Sequence, residues 1–159
     1  MTKAEQALAH FKDGFSCSQS VLSAFATELG LDTEAALKVS SGFGGGMGHM
    51  AETCGAVTGA YMVLGMKTGR THPKDSDAKE YTYELVRDFT SRFQKRTGHV
   101  VCRDILGVDI GNPDGYKQAI KDRLFSKLCP NMVVAAAEIL DEMMAEIDGA
   151  NMAERRSST

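Results

Sequence analysis

Four cysteines, at 17, 54, 102 and 129, are the residues of this 159-residue chain whose chemistry can exceed packing. The thiolate is both a nucleophile and a soft metal ligand. Four thiolates can hold an iron–sulfur cluster or a structural zinc, and any two can exchange with a disulfide. The gaps between them are 37, 48 and 27 residues, far from a compact ferredoxin or zinc-finger spacing. No Cys-x-x-Cys occurs, so neither a thioredoxin-like motif nor a zinc knuckle is encoded. Cys-x-x-Cys-His is also missing, which removes haem attachment. The first residues, Met-Thr-Lys-Ala-Glu-Gln, lack the apolar stretch of a signal peptide, which places the chain in the cytoplasm. Thiols are kept reduced there, so metal binding or thiol redox chemistry competes with plain burial as their role.

Helices must position these thiols. Thr2-x-x-Glu5 and Ser16-x-x-Gln19 are capping boxes. The first opens a helix to about Asp13. The second opens one with Val21, Leu22, Phe25 and Leu29 on one face, ended by Gly30. Asp32 caps a third helix to about Ser41. The run Gly42-Phe43-Gly44-Gly45-Gly46-Met47-Gly48 then breaks regular structure. A small-residue helix, with Ala51, Gly55 and Gly59 four apart, is expected from near Ala51–Thr53 to Lys67. Asp77–Thr97 reads as a long helix with Tyr81, Leu85, Phe89 and Phe93 inward, and Glu80, Glu84, Arg87 and Asp88 on its solvated face. Cys102–Leu106 forms a turn or two of helix. Asn112-Pro113-Asp114-Gly115 reads as a turn, followed by a helix marked by Tyr116, Ile120, Leu124 and Leu128. Pro130 suits the first position of a last helix that buries Val133, Ala137, Leu140, Met144 and Ile147, with Met143 and Met144 as core and rim. The expectation is an all-α, single-domain bundle of seven or eight helices with a Gly-rich loop: a domain over 1–148 and a frayed polar tail over 149–159.

Each cysteine then falls at a helix start. Cys17 follows the Ser16 cap, Cys54 heads the small-residue helix, Cys102 opens the short helix, and Cys129 is an N-cap before Pro130. Helix N-termini carry partial positive charge and free N–H groups, which favour a thiolate or an anionic centre built on it. Four such placements suit Cys17, Cys54, Cys102 and Cys129 as joint ligands of a [2Fe–2S]-type cluster, with a Cys₄ zinc or interaction module as an alternative. A second alternative is metal-free thiol–disulfide chemistry, with Cys54 as the nucleophile because its small-residue helix leaves room for a partner.

Local signatures bear on this choice. Cys54-Gly55-Ala56-Val57-Thr58-Gly59 stands with Gly14-Phe15-Ser16-Cys17-Ser18-Gln19, Ser41-Gly42-Phe43-Gly44-Gly45-Gly46-Met47-Gly48 and Cys102-Arg103-Asp104-Ile105-Leu106-Gly107. Together they resemble the redox-active family named C_GCAxxG_C_C for its cysteine pattern, over roughly residues 5 to 145. The family's four cysteines map onto Cys17, Cys54, Cys102 and Cys129. The resemblance implies a small helical protein, an oxidoreductase component with redox chemistry at these thiols. A related domain occurs in split-Soret cytochromes, where an iron–sulfur centre has been proposed.

Other classes find little support. Eighteen basic against 21 acidic residues leave a net charge of −3, with no basic excess for nucleic acid. No apolar run approaches a membrane span. The glycine run lacks Gly-Lys-Ser/Thr, and Gly44-x-Gly46 is followed at the third position by His49, so no nucleotide loop is encoded. It reads instead as a tight loop where backbone passes close to something, its N–H groups able to face the thiolates. His49 and His99 read as loop or capping residues. Arg103 reads either as a thiolate stabiliser or as an exposed first-turn residue. A redox partner protein is implied, and a homodimer is compatible with the size.

Overall fold

The computed structural model describes residues 1–158, so Thr159, the last residue of the expected tail, lies outside the described residues. Both capping boxes form. Thr2 accepts from Glu5 N–H ahead of α1 (Lys3–Lys12), and Ser16 accepts from Gln19 N–H ahead of α2 (Cys17–Ala26). A 3₁₀ turn, Thr27–Leu29, carries the chain to Gly30, which is left-handed as the end of a helix favours. Asp32 caps α3 (Thr33–Ser40) through Ala35 N–H. Beyond a second 3₁₀ turn, Ser41–Phe43, and a four-residue turn, Gly44–Met47, come α4 (Gly55–Thr68), α5 (Ser76–Thr97) and α6 (Cys102–Leu106). α7 (Pro113–Lys121) and α8 (Leu124–Ser157) complete the chain. The described residues thus form eight helices and no strand, with one isolated antiparallel bridge, Thr53 to Val101; the fold is all-α.

Helix α2 is central, packed against α1, α3, α4 and α8. Its Val21, Leu22 and Phe25 are buried with Val57 and Leu64 of α4, Phe89 and Phe93 of α5, and Val133 and Leu140 of α8. Each such side chain contributes about 1.5–3 kcal/mol on leaving water. A smaller cluster of Ala51, Leu106, Ile110 and Ala119 lies beside this core and contains Cys102 and Cys129.

Several boundaries differ from the sequence expectation. Helix α4 begins at Gly55, because Ala51 sits at φ 60 in the loop before it. Asn112–Gly115 is not a separate turn: Asn112 caps α7 through Asp114 N–H, and Pro113 is its first residue. The expected helix through Leu124 and Leu128 is divided at Arg123, which has φ 55. Pro130 consequently lies inside α8. Leu124, Phe125 and Leu128 pack on the smaller cluster, and this burial sustains the turns before the proline. Tyr81 is exposed rather than inward, and Met143, not Met144, is fully buried. The last helix continues past Gly149 to Ser157 with exposed side chains. No helix among the described residues is long and apolar enough to cross a membrane.

Candidate redox site

The four thiols arrive by four routes. Cys17 is the first residue of α2, fixed by the Ser16–Gln19 box in which Gln19 Oε1 accepts from Ser16 N–H at 3.1 Å. Cys54 is the N-cap of α4, and Cys102 is the first residue of α6. Cys129 is not an N-cap, as expected from Pro130, but lies within α8. Cys17 is half-buried and the other three are buried; all four are free.

Main-chain pairing joins two of them. Cys54 N–H donates to Val100 O at 2.9 Å, and Cys102 N–H donates to Glu52 O at 2.6 Å. Arg103 reinforces the same junction. Its N–H donates to Ala51 O at 3.2 Å, and its guanidinium donates to Glu52 Oε1 at 2.5 Å and Met50 O at 3.3 Å. The sequence reading contained no strand and missed this bridge. The β-branched pair Val100-Val101 beside Cys102 is the signal that could have found it.

The loop before Cys54 is left-handed over Gly45, Gly46, Met47, Gly48 and His49. A Cβ on Gly46 would lie 2.6 Å from Glu52 N and 2.8 Å from Ala51 Cα, so only glycine allows that approach. Close backbone passage is therefore what this glycine provides, and the loop's hydrogen bonds close on itself, from Ala51 N–H to Gly45 O and from Glu52 N–H to Gly46 O.

All four cysteines line one cavity of about 260 Å³. Phe11, Leu106, Phe125 and Met132 supply apolar wall, and Gly45 and Gly46 contribute backbone. His49 and Tyr116, whose ring centroids are 5.2 Å apart, stand at its exposed side. His99 is exposed and forms no part of the lining.

The thiols titrate unequally. The hydrogen bond it shares with Cys129, together with burial, raises Cys17 well above the ordinary thiol value. The same hydrogen bond lowers Cys129, against the effect of its own burial. Burial pushes Cys54 up to about 11, although Ala56 and Val57 N–H groups pull the other way. Burial, then the neighbouring Cys54 and Cys129, push Cys102 up to about 12, with Arg103 opposing. Helix N-termini alone do not decide these values; desolvation outweighs them at Cys54 and Cys102. Among the described residues, no group of three or more His, Cys, Asp or Glu side chains is arranged to hold a metal ion.

An all-α chain that gathers four free cysteines from separate helices on one largely apolar cavity defines a cysteine-centred helical protein. The model of the family described as "Putative redox-active protein (C_GCAxxG_C_C)" matches residues 15–143, and the chain belongs to that family. No curated protein and no solved structure matches the chain.

Proposed function

We propose that this redox-active protein uses Cys17, Cys54, Cys102 and Cys129 to hold an iron–sulfur cluster of the [2Fe–2S] type and passes electrons to a partner protein. The observation that carries this reading is the convergence of all four thiols on one cavity whose remaining walls are mostly apolar. Such a donor set, without competing carboxylates in the lining, suits soft iron–thiolate bonding. A single tetrahedral ion needs its ligands gathered on one point; a binuclear cluster spreads them over two irons. When bound, the cluster would supply one-electron chemistry. The chain supplies the rest. Phe11, Phe125 and Met132 exclude water, the Ala56 and Val57 N–H groups stabilise negative charge on the Cys54 sulfur, and Arg103 does so beside Cys102.

The test is a visible spectrum with iron, zinc and sulfide analysis on protein prepared without oxygen. Charge-transfer bands with iron and sulfide in equal amounts are expected, and Cys54→Ser should bleach them while leaving helix content intact. Colourless protein holding one zinc would refute the reading in favour of a structural site. Four titratable thiols without metal after iron and sulfide are supplied would refute it in favour of thiol–disulfide chemistry.

A further inference from the structure

On the side of α7 the cysteine cavity is closed by a single layer of side chains. Tyr116 and Ile120 line the cavity and are also 37% and 54% exposed, and His49, whose ring lies against Tyr116, is exposed too. The other apolar lining side chains, Phe11, Ile105, Leu106, Phe125 and Met132, are half-buried or buried. Met50, 59% exposed, extends the same apolar surface, because its loop lies against Gly111 just ahead of α7. A Cβ on Gly111 would meet His49 O at 3.2 Å and Met50 O at 3.6 Å. A Cβ on Gly115 would collide with Asp109 O, so α7 is seated directly on the segment before it.

Charge borders this strip on one side. At about 3.6 residues per turn, Lys117 and Lys121 stand next to Tyr116 and Ile120, while Gln118 and Asp122 fall on the opposite flank of α7. Arg123, left-handed at the junction with α8, is exposed as well. Among the described residues none of these three cations forms an ion pair, whereas Arg103 is neutralised by Glu52. The neighbouring acids are engaged: Asp122 accepts from the Gln118 amide, Asp109 accepts from Gly111 N–H, and Asp114 lies in the first turn of α7, where the helix N-terminus favours it. In a chain of net charge −3 this basic border is a local feature and not a consequence of composition.

We infer that this face, with Met50, Tyr116 and Ile120 bordered by Lys117, Lys121 and Arg123, docks the acidic surface of a one-electron carrier protein. The inference rests on the cluster reading for the electron exchanged, and deepens it by naming the partner's chemistry and its docking place. Opposite charge steers the encounter and fixes orientation. The apolar strip then excludes water where the carrier meets the cavity wall. One electron leaves the reduced member of the complex and enters the oxidised one; no bond forms or breaks and no atom is transferred. Redox encounters use small interfaces, which a short apolar strip with a charged border suits.

The experiment uses the full chain prepared without oxygen and two carriers of opposite charge as probes, an acidic plant-type ferredoxin and a lysine-rich c-type cytochrome. Titration calorimetry at low salt should show binding of the ferredoxin and none of the cytochrome. The ferredoxin affinity should fall about tenfold or more between about 10 mM and about 150 mM salt, as the Debye length shrinks from about 30 Å to about 8 Å. Reversing the border with Lys117→Glu and Lys121→Glu together should weaken binding about tenfold or more at unchanged helix content. The same change of net charge at two other exposed cations, Lys74→Glu with Arg87→Glu, should cost less than about threefold. Carbodiimide, which joins amines to carboxylates in contact, should link Lys117 or Lys121 of the parent chain to the ferredoxin. No ferredoxin binding at low salt, equal binding of the cytochrome, or equal loss in the two double variants would overturn the inference. So would cross-links confined to other lysines, or α7 lysines joined to a second copy of this chain. A cluster-bearing chain that fails these arms refutes the docking face and leaves the cluster. A chain without a cluster that passes them refutes the cluster and leaves the face.

Discussion

Replacing Gly59 by alanine is expected to destabilise the protein, whereas the same change at Gly65, six residues along the same helix, is expected to stabilise it. In the interior of a helix, alanine is favoured over glycine by about 0.5–1 kcal/mol. At Gly65 nothing lies within 4 Å of the added Cβ, so that gain should be realised in full. At Gly59 the added Cβ would sit 2.8 Å from Ser18 O and 3.2 Å from Ser18 Cα, both backbone atoms of α2. Backbone cannot rotate away, so α2 and α4 must separate, and overpacking of this kind costs about 1–3 kcal/mol. Setting the midpoints of the two terms against each other leaves a net loss of about 1 kcal/mol for Gly59→Ala. For a chain of this length that is a fall in Tm of about 2–4 °C, against a rise of about 1–4 °C for Gly65→Ala. Thermal denaturation followed by circular dichroism, with urea titration as a check, measures both. The separation also moves Cys17 from Cys54, because Gly55, one turn earlier, already lies against Cys17 Cβ. Gly59→Ala as stable as the parent would refute the close-approach argument. Gly65→Ala less stable than the parent would refute the open-space reading of that face.

Four further outcomes are expected. In metal-free reduced protein, iodoacetamide should label Cys129 at the lowest pH, since only Cys129 is lowered, and Cys54 and Cys102 last; peptide mapping of a pH series checks the order. Because Cys54 and Cys102 bind their protons more tightly folded than unfolded, their contribution is fully present below about pH 8.5 and lost as pH rises toward their folded values, which urea midpoints should record. Glu146 is held below its ordinary value by its hydrogen bond to Arg92, so its contribution is present above about pH 4.3 and lost as pH falls; it is exposed and screened, so Glu146→Gln should cost about 0.2–1 kcal/mol at neutral pH and progressively less as the medium is acidified. Asn112→Ala removes the cap on α7 and should cost about 1 kcal/mol in the same urea assay.

The helices were legible where local chemistry alone decides them. Thr2, Ser16 and Asp32 cap as their spacing requires, and Cys102–Leu106 ends at left-handed Gly107. They were illegible where tertiary burial overrides a local signal. Pro130 reads as a helix start, but Leu124, Phe125 and Leu128 gain enough by packing to extend α8 back through it. For the same reason Cys129 is not an N-cap. The candidate site followed the same division. Residue type singles out the four cysteines as candidates, but that they line one cavity comes only from the fold. How the cysteines are set relative to one another does not follow from periodicity: Cys54 and Cys102 depend on a single bridge between Thr53 and Val101, and Cys17 on the close approach of α2 to Gly55, both contacts between segments distant in sequence.

The location of strain supports reading this region as a working site rather than as an ordinary loop. Met47, His49 and Ala51 are left-handed without being glycine, at about 1–2 kcal/mol each. Such conformations persist only where the surroundings over-determine them, and they gather at functional sites. Here the surroundings can be named. Ala51 is fully buried in the smaller cluster, its carbonyl accepts from Arg103 N–H, and Glu52 is held through its backbone by Cys102 and through its side chain by Arg103. The strained residues and the contacts that hold them meet at one junction, between the segment before Cys54 and the segment ending in Cys102. A loop needed only to connect α3 to α4 would relax into cheaper geometry. What the strain secures is the fixed placement of Cys54 and Cys102 on a shared face.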